Sequence, residues 1–469
     1  MTFQDDVLYL KILVFSLLFS LFLKRLQHRE RWFGLCGLLL VLIVCRWQIL
    51  YSLICVLLNL LIIKFLDNRH VHVASFVCTF AYLAFCRCAH FVGLPALYPQ
   101  ANIVQLIMTL RCIGLCFEIH DAKKPAEASG SVSPRRKLTH LPSSVDAFLY
   151  LYNVVGLFTG PYYSYQTHVD FLQSTRIEQI PIAAEIAPRL LATPCFIAVY
   201  LFVSKFFPLE YAHTAEFFRD VGLLGRLLYM VPVFMFLRMR AYVAWTLSEC
   251  ACIAAGIGAY PAESKPKIGQ GPTDLQALKE VESKDAEDIE YSFETVRNVD
   301  VYECEFSLGF RSGMRAWNRS VQYWLATYVY RRSPKPIRMP LTMLVSAFWH
   351  GIHAGYYLSF LTIPLCTLAE DLAFSVVGRK TTEPSAGVEV AESGRKPGVF
   401  DVLWWFFRMR GFEFMAIGFL LLSWESTVRY WSSIYYCLHA CLIVIIIGCM
   451  GWKKFIGSRK TSSRDKKVD

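Results

Sequence analysis

Apolar runs near the length that crosses a membrane recur along the chain, at 7–23, 33–66 (long enough for two passes), 71–92, 102–119, 147–165, 190–207, 221–237, 242–260, 341–377, 402–423 and 431–452. A helix rises about 1.5 Å per residue, so roughly 20 apolar residues cover a hydrocarbon core about 30 Å thick. The pattern predicts an all-α, polytopic transmembrane helix bundle of about eleven spans. Three polar stretches interrupt it: 121–144, rich in Ser, Pro and Lys; 263–300, of mixed charge; and 379–397, which reads as a flexible loop. None is long enough for a soluble catalytic domain. The whole chain, 1–469, therefore reads as a single membrane domain with its chemistry housed among the helices.

A different pattern occupies 301–332. Phe310, Met314, Trp317, Val321, Trp324 and Tyr328 recur at intervals of 4, 3, 4, 3 and 4, which draws one apolar stripe along a helix. Arg311, Arg315, Arg319 and Gln322 fall on the other side. This predicts a continuous amphipathic helix at the interface or at the rim of the bundle. Asn318 sits at the border of the two faces and opens the chain's one N-x-S/T sequon, Asn318-Arg319-Ser320. It reads as a functional polar residue, an ordinary helix residue or a glycan acceptor.

The segment SAFWHGIHAGYYLSF, 346–360, places two histidines inside the apolar run 341–377. A buried, charged imidazole costs several kcal/mol or has its pKa pushed down, so its presence needs a reason. On a helix, His350 and His353 are three apart and face one side. Two ligands do not make a metal site and HExxH is absent, so no metal is expected. A histidine satisfied by a backbone carbonyl is the plain reading; a neutral imidazole acting as general base is the functional one. Gly351 and Gly355 would leave room beside the ring, with Trp349, Tyr356 and Tyr357 as aromatic walls. Such an apolar slot suits attack by a lipid hydroxyl on an activated acyl group.

Composition narrows the class. Of 469 residues, 55% are hydrophobic and 18% charged, and the mean hydropathy of +0.39 lies outside the soluble globular range. The net charge of +11 is concentrated beside the spans, in Lys24, Arg25, Arg29 and Arg31, in Lys123, Lys124, Arg135, Arg136 and Lys137, and in the basic tail 453–469. That distribution fits membrane topology and anionic headgroups, and no nucleic-acid partner is expected. An acidic N-terminus in the lumen and a basic C-terminus in the cytosol require an odd number of spans. Aspartates precede the first run and no cleavage site follows it, so it reads as a retained span. Most of the sixteen cysteines lie within the runs, where they act as small apolar residues. The terminal DKKVD has the spacing of a dilysine retrieval signal for the endoplasmic reticulum, although basic tails produce it by chance as well. A transporter or scramblase would need polar residues over several spans and matched broken helices, whereas here the polar signal is confined to two nearby motifs.

WNRSVQYWL at 317–325, followed by SAFWHGIHAGYYLSF, resembles the paired signature of the membrane-bound O-acyltransferase family. FTGPYYSYQTHVDFL at 158–172 and RMRGFEFMAIGFLLLS at 408–423 resemble its lysophospholipid branch, and length and motif order are most similar to the lysophosphatidylinositol acyltransferases. The family commonly has proline where this chain has Ala354, which leaves a helix break there less secure. The resemblance implies a chamber reached by acyl-CoA from the cytosol and by a lysophospholipid from the bilayer. It implies His350 as general base and Asn318 as its companion, with no cofactor beyond acyl-CoA as co-substrate. Trp317, Gln322, Ser346, Trp349, His353, Gly355, Tyr356 and Tyr357 are the expected substrate lining. Arg311 and Arg315 would attract CoA phosphates or the inositol phosphate, or else snorkel to headgroups. Another acceptor, such as lysophosphatidylcholine, lysophosphatidylserine, a sterol or a peptide, is the rival within the family.

Overall fold

A computed structural model of the protein describes residues 3–123, 138, 140–174, 176–281, 289–379 and 398–465, with side chains as far as Phe455. Lys124, Arg135, Arg136 and Lys137 of the second basic cluster, Lys466 and Lys467 of the tail, and most of the stretches 121–144 and 379–397 lie outside the described residues.

The architecture is all-α and polytopic. Among the described residues, eight helical segments are long and apolar enough to cross a membrane: Phe3–Leu23, Arg29–Phe65, Val71–Val92, Pro99–Ala122, Ile182–Phe206, Leu223–Ala255, Ala354–Val376 and Cys437–Phe455. The expected number was about eleven, and the differences have local causes. The double-length run is helices Arg29–Cys45 and Ile49–Phe65 joined by a 3-10 turn at Arg46–Gln48, with Arg46 left-handed at φ 52°. The runs 221–237 and 242–260 merge into one 33-residue helix, Leu223–Ala255, which carries Pro232 without ending there. The basic residues between the two runs are neutralised, Arg238 by Glu305 and Arg240 by Asp6. The run 147–165 is not a span. It is a short helix, Ser144–Leu151, then buried irregular chain, then helix Tyr165–Gln173. Helix Val399–Leu421 has the length to span but carries Arg408, Arg410 and Glu413.

The amphipathic segment is also broken. Helix Phe310–Ala316 stops, the chain turns at Trp317 and Asn318, and helix Arg319–Tyr328 begins. The polar stretch 263–300 has structure of its own, flanked and closed by a short antiparallel pair, Tyr260–Pro261 with Tyr291–Ser292, and containing helix Leu275–Val281.

The chain divides into two compact units interleaved in sequence. The first comprises Met1–Ala198, Met239–Asp300 and Ala316–Pro334; the second comprises Val199–Arg238, Val301–Arg315 and Lys335–Asp469. In the first, Met108, Cys112, Leu115, Tyr150, Val155 and Ile257 belong to one fully enclosed core. Helix Arg29–Cys45 packs backbone to backbone on the irregular segment, because a Cβ at Gly37 would stand 1.8 Å from the Tyr152 carbonyl oxygen. In the second, Phe217, Phe310, Cys366, Phe414, Ile417 and Tyr430 form the core. All sixteen cysteines are free thiols.

Candidate active site

Helix Arg338–His350 ends on the histidine. Gly351 is extended, at φ 174° and ψ 176°, and the chain stays open through Ile352 until His353 caps helix Ala354–Val376. The two histidines therefore do not share a helix face, contrary to the spacing argument. The break is present although Ala354 stands where the family commonly has proline, with Gly351 extended and His353 at the N-cap position without a side-chain cap.

His350 is half-buried and enclosed by rings from three helices. Phe360 stacks on the imidazole with centroids 5.2 Å apart at 25°. Phe419 of helix Val399–Leu421 meets it edge-on at 5.2 Å and 81°. Trp349 lies 4.8 Å away and Tyr356 6.0 Å away. These contacts hold the ring plane while leaving part of the imidazole accessible. Ser346 is buried on the same helix, Tyr357 is half-buried, and His353 is exposed with its ring 6.2 Å from Tyr356.

Gly355 does not make room for substrate. A Cβ there would stand 2.1 Å from the Gly418 carbonyl oxygen, and the Gly355 N–H donates to Leu422 O at 2.7 Å. With Ser359 Oγ donating to Met415 O at 2.7 Å, it fastens helix Ala354–Val376 to helix Val399–Leu421. Arg311 is committed as well, its guanidinium 2.8 Å from Asp371. The same turn is capped by Glu370, whose carboxylate accepts from the Phe310 and Arg311 backbone N–H groups. Arg315 is exposed and has no ion pair among the described residues.

Trp317, Asn318 and Gln322 belong to the first unit. Asn318 is left-handed, at φ 45° and ψ 55°, and stands at the N-cap of helix Arg319–Tyr328 without using its side chain as a cap. Its amide has no hydrogen-bond partner among the described residues and is half-buried. Trp317 meets Trp245 at 4.7 Å and Tyr242 at 5.9 Å, Gln322 is half-buried, and Arg319 pairs with Glu294 at 2.6 Å. Ser320 is 1% exposed. Its hydroxyl donates to Asn298 Oδ1 at 2.6 Å and accepts from the Tyr162 N–H at 3.0 Å. The sequon hydroxyl is thus engaged inside the fold.

A profile of the membrane-bound O-acyltransferase family matches residues 100–387, a stretch that contains both Asn318 and His350. The chain belongs to the membrane-bound O-acyltransferase family. It is similar to the membrane-bound acylglycerophosphatidylinositol O-acyltransferase of Xenopus laevis, 40% identical over 453 residues that cover 94% of this chain and 93% of the relative. The human protein of that name is 40% identical over 445 residues, covering 93% and 91%. The Drosophila melanogaster one is 32% identical over 455 residues, covering 92% and 89%. The protein is therefore a multi-pass membrane enzyme of acyl transfer.

Several residues of this O-acyltransferase escape sequence reasoning. Phe419 is one phenylalanine among many in an apolar run, and nothing in its neighbours marks it as the ring beside His350. Arg111, in helix Pro99–Ala122, is completely buried and holds the irregular segment. It donates to the carbonyl oxygens of Leu151 at 3.0 Å, Asn153 at 2.9 Å and Val155 at 2.6 Å. Arg408 is its counterpart in the second unit, donating to Cys304 O at 2.9 Å and Glu305 O at 2.8 Å. An arginine inside an apolar run is the signal that would have found both.

His168, outside the spans, is buried in the first unit with Asn153 Nδ2 donating to its Nδ1 at 3.3 Å. Burial first, and the Arg111 charge second, push its pKa down to about 3. The unfolded chain takes up this proton near pH 6.5, and the folded one only near 3. Unfolding therefore binds a proton between those values, and stability falls as pH drops through that window. The melting temperature in detergent should decline from pH 6.5 downward, and more shallowly in His168→Gln; equal slopes would contradict the burial of a neutral ring.

Proposed function

We propose that this acyltransferase esterifies the free sn-2 hydroxyl of lysophosphatidylinositol with a fatty acyl group taken from acyl-CoA. The acceptor rests on similarity over nearly the whole chain to relatives named for acylglycerophosphatidylinositol. The observation that carries the chemistry is the half-buried His350 imidazole, held in plane by Phe360 and Phe419 at a helix break. In this reading His350 withdraws the hydroxyl proton as the oxygen attacks the thioester carbonyl. The tetrahedral intermediate collapses, the C–S bond breaks, and CoA leaves as thiolate, which recovers the proton from the imidazolium. Asn318 donates a hydrogen bond to the developing oxyanion or orients the hydroxyl. The thioester is already activated, so the reaction requires neither metal nor acyl-enzyme. The same reading places the enzyme in the endoplasmic reticulum membrane with a lumenal N-terminus and cytosolic C-terminus, and gives it polyunsaturated, arachidonoyl-type donors.

The deciding assay offers a panel of lysolipids with one labelled acyl-CoA to the purified protein in micelles. Lysophosphatidylinositol should be consumed at least about tenfold faster than the choline, serine and ethanolamine analogues, a preference of about 1.4 kcal/mol. Equal rates, or preference for another headgroup, would remove the assignment of the acceptor.

A further inference from the structure

An asparagine at a helix N-cap ordinarily turns its side chain back onto the first free N–H groups of the helix. Asn318 occupies that position and does not do so. The work is done by Asn298, twenty residues earlier. Its carbonyl oxygen accepts from the Arg319 N–H at 2.7 Å, and its Oδ1 accepts from the Ser320 N–H at 3.2 Å and the Ser320 hydroxyl at 2.6 Å. Asn318 itself supplies only its carbonyl oxygen, to Val321 N at 3.1 Å and Gln322 N at 3.0 Å. Every early N–H of the helix is thereby satisfied without the Asn318 amide.

Asn298 is in turn held rigidly. It is completely buried, and its N–H and that of Val299 donate to Glu249 Oε1 at 2.7 and 2.9 Å. The other oxygen of Glu249 meets the Arg189 guanidinium at 3.4 Å. Ser320 carries the link onward to the Tyr162 N–H. All of these residues lie in the first unit.

We infer that Asn298 is a positioning residue: by capping helix Arg319–Tyr328 in place of Asn318 and fixing the left-handed turn, it sets free the Asn318 amide and aims it for the reaction. The inference rests on the role proposed above for Asn318. Side chains that align a reacting group act on the transition state more than on ground-state binding, so their loss appears in kcat.

The test uses the purified full-length chain in micelles, with lysophosphatidylinositol and labelled acyl-CoA, and Asn318→Ala as reference. Asn298→Ala should lower kcat per folded molecule by about ten- to a hundredfold, with KM for both substrates within about twofold. Ser320→Ala, a smaller change that also breaks the link, should lower kcat in the same sense by about three- to tenfold, and it decides the matter should Asn298→Ala fail to fold. A purely structural role would lower the melting temperature and the folded yield while leaving kcat per folded molecule intact; that result overturns the inference. Full activity in Asn298→Ala or Ser320→Ala beside an inactive Asn318→Ala overturns it alone. Full activity in Asn318→Ala instead removes the role of Asn318.

Discussion

His350→Gln should abolish acyl transfer, lowering kcat by about 1000-fold or more, while the protein still folds and inserts. General-base catalysis is worth roughly 10²–10⁴ in rate, and glutamine keeps bulk and polarity without a basic nitrogen. The ring stacks on Phe360 and meets Phe419 and Trp349, so its removal also costs some packing. Glutamine fills part of that volume, and the melting temperature should shift by only a few degrees. His350→Ala should be equally inactive and melt lower. Turnover above a tenth of the parent value in the glutamine variant would show that the imidazole is not the base.

The second large effect concerns folding. Arg111→Met should prevent accumulation of folded protein. The guanidinium answers the carbonyls of Leu151, Asn153 and Val155 in a segment that has no ladder or helix to satisfy them. A buried carbonyl left without a donor costs about 1–3 kcal/mol; those of Leu151 and Asn153 would be left so, while that of Val155 keeps only the Tyr163 hydroxyl at 3.2 Å, and the loss is a large part of the stability of a typical domain. The rings of Tyr150 and Tyr163, 5.8 and 5.2 Å from the guanidinium, add cation–π attraction that methionine forfeits. Arg111→Lys should rescue little, because one ammonium cannot reach three diverging acceptors. Size-exclusion profiles and melting curves in detergent would read this directly. A methionine variant that melts within about two degrees of the parent would contradict it.

These residues show what a linear pattern carries and what it does not. Hydropathy reads the membrane class, because span length is a property of consecutive residues. It fails over 147–165, where apolar composition is shared by a lipid-facing helix and by irregular chain buried against Arg111, Gly37 and His168. The stripe from Phe310 to Tyr328 has helical spacing throughout, yet Asn298, supplied from outside the window, stabilises a left-handed turn in its middle. His350 and His353 have the spacing of one helix face, and the non-helical Gly351 and Ile352 separate them. The histidine and asparagine themselves were legible as polar residues in apolar or amphipathic surroundings. Their supports, Phe419, Asn298 and Glu249, were not, because each is defined by a contact distant in sequence.

The division of labour between the two asparagines has a practical side. Since the start of helix Arg319–Tyr328 does not depend on the Asn318 amide, an Asn318→Ala protein should keep its architecture while forgoing turnover. It is the form in which both substrates would dwell together unreacted, and hence the form to image when the question is how a lipid hydroxyl and a thioester come to lie side by side.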